Sequence, residues 1–153
     1  MQSAITIASL ALLSFLPISS TTQPVSSGSQ PIAQEDEKSP LADAMGVLKH
    51  GQRSLKKAIK DPVANKAGIL ETLSAMEGAT LRALALQPPL PEGMTESQSP
   101  LFQVRYRIQM TALLNTLLEM EQASLKDEGA KLPELYKALT AGKKGGHREF
   151  KED

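Results

Sequence analysis

The residues best suited to chemistry lie close to the C-terminus of this chain. His147 is one of only two histidines in 153 residues. It follows Leu139 by eight residues and precedes Phe150 by three, so an α-helix would put all three on one face. Gly142 and Gly146 would leave that face without side-chain bulk. The pattern predicts an imidazole beside a strip that could receive a large, flat group.

The composition limits which chemistry is available to this imidazole. The chain has no cysteine, which excludes disulfides, thiolate metal sites, covalent haem attachment through Cys-X-X-Cys-His and a cysteine nucleophile. Lys plus Arg and Asp plus Glu both number 17, so no net basic field indicates nucleic acid as a partner. Aromatic residues are few, at 3%, which favours a core of Leu, Ala and Met. Such a core is typical of packed helices in a single domain.

The N-terminal residues have the pattern of an export signal. An apolar run over residues 4–18 is followed by Ser and Thr, and it is too short to span a membrane comfortably. We predict a signal peptide over residues 1–22 and, from the Ser, Gln, Pro and acidic content, a disordered linker over 23–38. If the leader is cleaved, no stable membrane insertion is expected. An uncleaved anchor and a mistaken start codon stay open, because Lys and Arg are missing before the run.

Four apolar stripes with helical spacing follow the linker. Their apolar residues recur at intervals of three and four, whereas the alternation expected of strands is missing. The predicted inward positions are Leu41, Met45, Leu48, Gln52, Leu55 and Ile59; Ile69, Leu70, Leu73, Met76, Leu81 and Leu84; Phe102, Tyr106, Met110, Leu113, Leu117 and Met120; and Leu132, Leu135, Tyr136, Leu139, His147 and Phe150.

Capping and turn residues mark where these helices begin and end. The boundaries are Ser39-Pro40, Asp61-Pro62, Pro88-Pro89, Ser99-Pro100 and Asp127-Glu128-Gly129. Asp61-Pro62 is expected to end the first helix and to cap the second. The connections predict an all-α fold over residues 39–153, an up-down-up-down antiparallel four-helix bundle.

In such a bundle the first helix begins at the end where the fourth helix finishes. Met45 lies about five residues into the first helix and His147 about seven residues before the chain ends. With a rise of about 1.5 Å per residue, both lie roughly 7–10 Å from the shared end. The two stripes therefore predict that a thioether and an imidazole face each other at one depth of the bundle.

A methionine and a histidine facing each other form a recognised pair of axial ligands for haem iron. With both axial positions filled, no position remains for oxygen or substrate, so one-electron transfer is the natural use. Each residue also has an ordinary interpretation. Met45 alone would be a core methionine, and His147 alone would be a solvated or capping residue near a helix end.

The chain resembles the cytochrome b562 family of soluble bacterial b-type cytochromes in several short motifs and in their order along the sequence. The resemblance covers about residues 39–153. It rests on Asp43-Ala-Met45-X-X-Leu48, Leu73-X-X-Met76, Pro88-Pro89, Ser99-Pro100 and Gly146-His147-Arg-Glu-Phe150-Lys.

The resemblance implies a periplasmic electron carrier, not an enzyme. It implies one non-covalent haem b per chain, with Met45 and His147 as the iron ligands, and redox partner proteins that the sequence does not identify. Met76, Phe102 and Tyr106 are predicted to line the haem pocket, with ordinary core packing as the alternative for each. A basic outer face of the first helix is either a solvated surface or a docking surface for an acidic partner.

A second function stays open beside the cytochrome hypothesis. Gly142, Gly145 and Gly146 weaken the last helix, at a cost of about 1 kcal/mol each relative to Ala. Lys143 lies four residues before His147, where an inward apolar residue would be expected. These residues favour an exported helical bundle that keeps the fold without haem and acts as a binding or structural module.

Overall fold

The computed structural model describes residues 39–150, and this part of the chain is all-helical, without a strand. Its helices are α1 Pro40–Ala58, α2 Lys66–Leu84, α3 Ser99–Leu125 and α4 Leu132–Phe150, with a 3-10 turn at Gly129–Lys131. The predicted helix content is confirmed, and four helices around one core are consistent with a four-helix bundle. The predicted signal peptide (1–22) and linker (23–38) lie outside the described residues. Within residues 39–150, no helix has both the length and the apolarity needed to cross a membrane.

The start of α1 agrees with its predicted capping residues, whereas the start of α2 does not. Ser39 Oγ accepts a hydrogen bond from the Ala42 amide at 3.1 Å, and Pro40 occupies the first helical position. Asp61 Oδ1 accepts from the Ala64 amide at 3.1 Å, and α2 begins only at Lys66. Asp61 therefore caps the intervening turn, so the prediction that it caps α2 is wrong.

The predicted turn after α3 is confirmed and has a well-defined geometry. Asp127 adopts a left-handed conformation with φ of 58°, while the Glu128 amide donates to the Ala123 carbonyl at 2.8 Å. This is the backbone pattern of a Schellman motif, which satisfies carbonyls at a helix C-terminus. The Asp127 side chain also pairs with Lys66 Nζ at 2.7 Å, which ties the start of α2 to the end of α3.

The core follows the predicted stripes, with one exception on α2 and, at His147, one on α4. Leu81 was expected to face inward, but it is 54% exposed. The smaller residues Ala79, Thr80 and Ala83 are buried instead, and Thr80 satisfies its hydroxyl by donating to the Met76 carbonyl at 2.8 Å. Small side chains let neighbouring helices approach closely, so this part of α2 packs through alanines. The buried hydrophobic residues are Ala44, Leu48, Leu55, Ile69, Leu73, Met76, Ala79, Ala83, Phe102, Tyr106, Met110, Leu117, Met120, Ala123, Leu132 and Leu139.

At Gly51, α1 also packs closely against α2. A Cβ atom added to Gly51 would collide with the side chain of Met76 and lie 3.4 Å from Thr72 Cγ2. Met76 is 1% exposed, so its side chain has little room to move aside. The absence of a side chain at Gly51 is therefore required by the packing of Met76.

We expect Gly51→Ala to destabilise the protein by about 1–3 kcal/mol, the usual cost of overpacking a core. The substitution also improves helix propensity, so a net loss would have to come from the contact with Met76. Gly68 in α2 is the matched control, since an added Cβ there meets nothing within 4 Å. Gly68→Ala is expected to stabilise by up to about 1 kcal/mol. Urea unfolding of both variants measures the difference, and equal effects would contradict this packing.

Glu77 introduces an electrostatic cost where α2 packs on α3. Its Oε1 atom is buried and has no hydrogen-bond partner within residues 39–150. Burial, together with the nearby carboxylate of Glu121, raises the pKa of Glu77. The folded state thus holds the Glu77 proton to a higher pH than the unfolded state does. Between the unfolded and folded pKa values, stability falls as pH rises.

We expect Glu77→Gln to increase stability at pH 7, because the neutral amide carries no charge to desolvate. The gain should shrink as the pH falls through the raised pKa toward the ordinary glutamate value, since Glu77 itself becomes neutral there. Denaturant unfolding at pH 7 and pH 4 measures both effects. Glu71→Gln, at an exposed position of the same helix, is the control. A loss of stability at pH 7 would contradict the expectation.

Candidate functional site

The faces of α1 and α4 that turn toward each other are joined by a group of polar side chains centred on Gln52. Gln52 Nε2 donates to Thr140 Oγ1 at 3.2 Å, and Lys143 Nζ donates to Gln52 Oε1 at 2.9 Å. The Tyr136 hydroxyl donates to the backbone carbonyl of Gln52 at 3.2 Å. One buried residue of α1 thus meets three residues of α4. We call this contact the α1–α4 seam.

The α1–α4 seam differs from the other helix contacts. Backbones approach closely from α1 to α2, from α2 to α3 and from α3 to α4, but α1 and α4 share no comparable approach in the part of the chain that the structure describes. The helix backbones are therefore farther apart at this seam, where long side chains bridge them, than at the contacts that include Gly51 and Ala83. A wide seam is where a bundle can hold a group between its helices.

By helical spacing, Met45 falls on the face of α1 that carries Gln52, and His147 falls on the face of α4 that carries Thr140. Met45 is seven residues before Gln52, and His147 is seven residues after Thr140. Seven residues are two helical turns, or about 10 Å, in each helix. Met45 is partly buried and packs against the core.

His147 is exposed, so the prediction that it points into the bundle is not met. Phe150, three residues later, is partly buried and packed against the core. Phe150 lies about 60° from His147 around the helix. The apolar ring gains more from burial than the imidazole does, so α4 is oriented with Phe150 inward and His147 at the edge of the seam.

Phe150 completes an aromatic cluster with two of the predicted pocket residues. Its ring centroid lies 5.3 Å from that of Phe102 and 5.6 Å from that of Tyr106, in tilted and edge-on arrangements. The Tyr106 hydroxyl donates to the Ala83 carbonyl at 2.9 Å, and burial raises its pKa. The structure therefore brings Phe102 and Tyr106 together with the end of α4. The helical spacing from His147 indicated Phe150, but a role in the site was not predicted for it.

Met76 has a different environment from the other predicted pocket residues. It is fully buried and packs against Gly51 of α1, as a core methionine does. The ordinary packing interpretation therefore accounts for this residue.

The glycine strip of α4 does not form an open surface. Gln109 of α3 donates from Nε2 to the Gly142 carbonyl at 3.0 Å, and its Cγ atom lies 3.6 Å from the Cβ position of Gly146. Both glycines face α3, not α1, and the Gln109 side chain fills the space beside them. The expectation that this strip is open to a flat group is therefore wrong.

The donors at the seam match one kind of metal centre better than others. Residues 39–150 contain no group of three or more His, Asp or Glu residues that could hold a bare metal ion. An iron already held by a porphyrin needs only two axial ligands from the protein, and a thioether with an imidazole is such a pair. Met45 and His147 are of the residue types that can supply such a pair.

Comparison of the chain with protein-family models, with curated proteins and with solved structures finds no match.

The aromatic cluster gives a direct test of what holds the last turn of α4. We expect Phe150→Ala to cost about 2 kcal/mol, less than a fully buried phenylalanine because Phe150 is partly exposed. Amide hydrogen exchange over the last turn of α4 should accelerate, since its packing against α3 is lost. Lys144→Ala, at an exposed position of α4, should leave both quantities nearly unchanged. Unaltered exchange in Phe150→Ala would show that the cluster does not hold the helix end.

Proposed function

We propose that this protein is a periplasmic electron carrier that binds one non-covalent haem b per chain, with Met45 and His147 as axial iron ligands. The observation that carries the proposal is the sequence register across the α1–α4 seam. Gln52 and Thr140 are joined by a hydrogen bond. Met45 lies seven residues before Gln52 in α1, and His147 lies seven residues after Thr140 in α4. The resemblance to the cytochrome b562 family supports the same two residues.

Met45 and His147 lie at the same height along the bundle only if α1 and α4 run antiparallel. We propose the up-down-up-down order of helices, in which α1 and α4 are antiparallel. Residues early in α3 meet residues late in α4, as in the contact of Phe102 with Phe150. Likewise the end of α2 meets the start of α3 through Ala83 and Tyr106. The connection from Ile59 to Asn65 is short, which favours antiparallel packing of α1 and α2.

The haem, when bound, supplies one-electron redox chemistry, and the protein controls its access and potential. The Met45 thioether and the His147 imidazole would occupy both axial positions, which leaves no position for a substrate and favours a carrier over an enzyme. Methionine ligation raises the reduction potential relative to anionic ligands. Phe102, Tyr106 and Phe150 supply apolar surface at this end of the bundle and limit the entry of water.

Export and partners complete the proposal. The leader in residues 1–22, outside the described part, supports delivery to the periplasm. A basic surface of α1 supports docking of acidic redox proteins, since complementary charge speeds their association. The exposed cations of this surface are Lys49, Arg53, Lys56, Lys57 and Lys60.

A second candidate function is favoured by the contacts within the seam. Lys143 reaches across it to Gln52, and His147 lies at the edge instead of inside. A bundle whose seam is already bridged by its own side chains can serve as an exported binding or structural module without haem. The two candidates differ in whether Met45 and His147 act as a pair.

A haem titration with visible spectra separates the two functions. We expect saturation at one haem per chain and sharp low-spin bands in the reduced form. His147→Ala should abolish these bands and weaken haem binding. Met45→Leu keeps the apolar volume but removes the thioether, so it should change the axial ligation and lower the potential.

Each ligand variant has a matched control in the chain. His50→Ala removes the other histidine, which is exposed on α1, and Met110→Leu changes a buried methionine of α3. Both should leave the spectrum and the stoichiometry unchanged. Weak, non-stoichiometric binding that is indifferent to His147 would rule out the carrier and leave the module.

A further inference from the structure

The helix α3 has a second apolar stripe on the side opposite its buried one. Leu101, Ile108 and Leu125 are 57%, 64% and 58% exposed, and Val104 and Leu118 are exposed as well. The buried stripe of the same helix supplies the core. Exposed apolar residues that recur along one face of a helix can mark an interaction site.

The outer stripe has a seven-residue repeat. Its positions are separated alternately by three and four residues over almost the whole of the 27-residue helix. They are Leu101, Val104, Ile108, Thr111, Asn115, Leu118, Gln122 and Leu125. This is the spacing of a coiled-coil seam, including polar residues at its centre of the kind that fix the register of helix pairing. We call these eight residues the α3 outer seam.

The middle of the α3 outer seam is open to solvent between the side chains of α3 itself. The residues around this shallow space are Val104, Arg107, Ile108, Thr111, Ala112 and Asn115. The small side chain of Ala112 leaves room there for side chains of a facing helix.

Charges flank the α3 outer seam in an ordered way. Arg105 and Arg107 lie on its two sides in the first half of α3, and Glu119 and Glu121 lie on the same two sides fourteen residues later. One half of the helix is therefore basic at its flanks and the other half is acidic. Arg105 lies 3.9 Å from Glu149 of α4 on the surface, where such a pair contributes little.

We propose that the α3 outer seam binds a second copy of this chain, with the two α3 helices antiparallel. In that arrangement Leu101 meets Leu125 of the second copy, and Ile108 meets Leu118. The central polar residues Thr111 and Asn115 face each other and can share hydrogen bonds. Val104 of each copy meets Gln122 of the other, which gives two layers that each contain one apolar and one polar side chain.

The flanking charges select both the occupant and the direction. In the antiparallel pair, Arg105 of one copy faces Glu119 of the other, and Arg107 faces Glu121. A parallel pair would instead bring the two arginine-bearing halves together and the two glutamate-bearing halves together, which is unfavourable. A second copy supplies the complementary charges without any other protein. The dimer does not depend on haem, because the outer seam lies on the face of α3 opposite the core.

Sedimentation of the full chain tests the dimer and its charge pairing. Wild type should form a dimer of twice 16.4 kDa that dissociates on dilution. The double variants Arg105→Glu with Arg107→Glu, and Glu119→Arg with Glu121→Arg, should each weaken self-association by about tenfold or more, because all flanking pairs become like-charged. Mixing the two double variants should restore a dimer of one copy of each. Circular dichroism checks that every variant is folded.

Disulfide trapping tests the direction, since the chain has no cysteine of its own. Under mild oxidation, chains carrying Ile108→Cys should cross-link to chains carrying Leu118→Cys. Neither variant should cross-link to itself, because in the antiparallel pair identical positions lie far apart along the helix. Cross-linking within each variant alone would overturn the antiparallel arrangement.

Three results of the sedimentation experiment would overturn the proposal. A chain that remains monomeric at the highest concentration used would show that a second copy is not the occupant, whether another protein or a lipid surface takes its place. A dimer that the charge reversals do not weaken would place the association elsewhere, for example in the apolar run of residues 4–18. Two double variants that fail to associate when mixed would contradict the proposed charge pairing.

Discussion

The hydrogen bonds of Gln52 are the constraint on which the arrangement of α1 and α4 depends. This side chain is only 9% exposed, and both its amide nitrogen and its amide oxygen have partners on α4. A buried amide left without partners would cost about 1–3 kcal/mol, so α4 is held at the rotation and height that keep Thr140 and Lys143 in reach. Apolar contacts alone would tolerate several positions of one helix along another. The hydrogen bonds of the Gln52 side-chain amide are compatible with few positions of α4 along α1.

This polar link also explains why the bundle is asymmetric. The α1–α2 contact is tight because Gly51 has no side chain, and the contact between α2 and α3 includes Ala83, whose carbonyl accepts from Tyr106. The α1–α4 seam has neither device, and its helices are kept apart by the length of the bridging side chains. The bundle thus has three close helix contacts and one wider contact. By sequence register, Met45 and His147 lie two helical turns from Gln52 and Thr140, on the two sides of that contact.

The helices were predictable from the sequence because their signals are local. Ser39 and Pro40 start α1 whatever packs against it, and the three-and-four spacing of large apolar residues fixes most of the core. The errors arise where burial depends on a neighbouring helix. Leu81 is large and apolar, but smaller residues face the neighbours at that level of α2, so Leu81 lies outside.

The candidate site shows the same limit. The level of Met45 and His147 could be estimated from the helical rise, because distance along a helix is a local property. The orientation of His147 could not, since it depends on competition with Phe150 for the interior. The residue that covers the glycine strip could not be predicted, because Gln109 is distant in sequence and its contact with Gly142 exists only in the folded chain.

The two faces of α3 bring these considerations together. Its low amphipathicity makes it look poorly specified for a bundle, but its apolar residues follow two separate repeats, one buried and one exposed. A single bundle can cover only one of them. If the exposed repeat is covered by a second copy, α3 becomes the rigid centre of the assembly, and the α1–α4 seam of each copy stays away from the contact. The helix pair proposed to hold a ligand and the helix proposed to pair with a second copy would then be different parts of one fold.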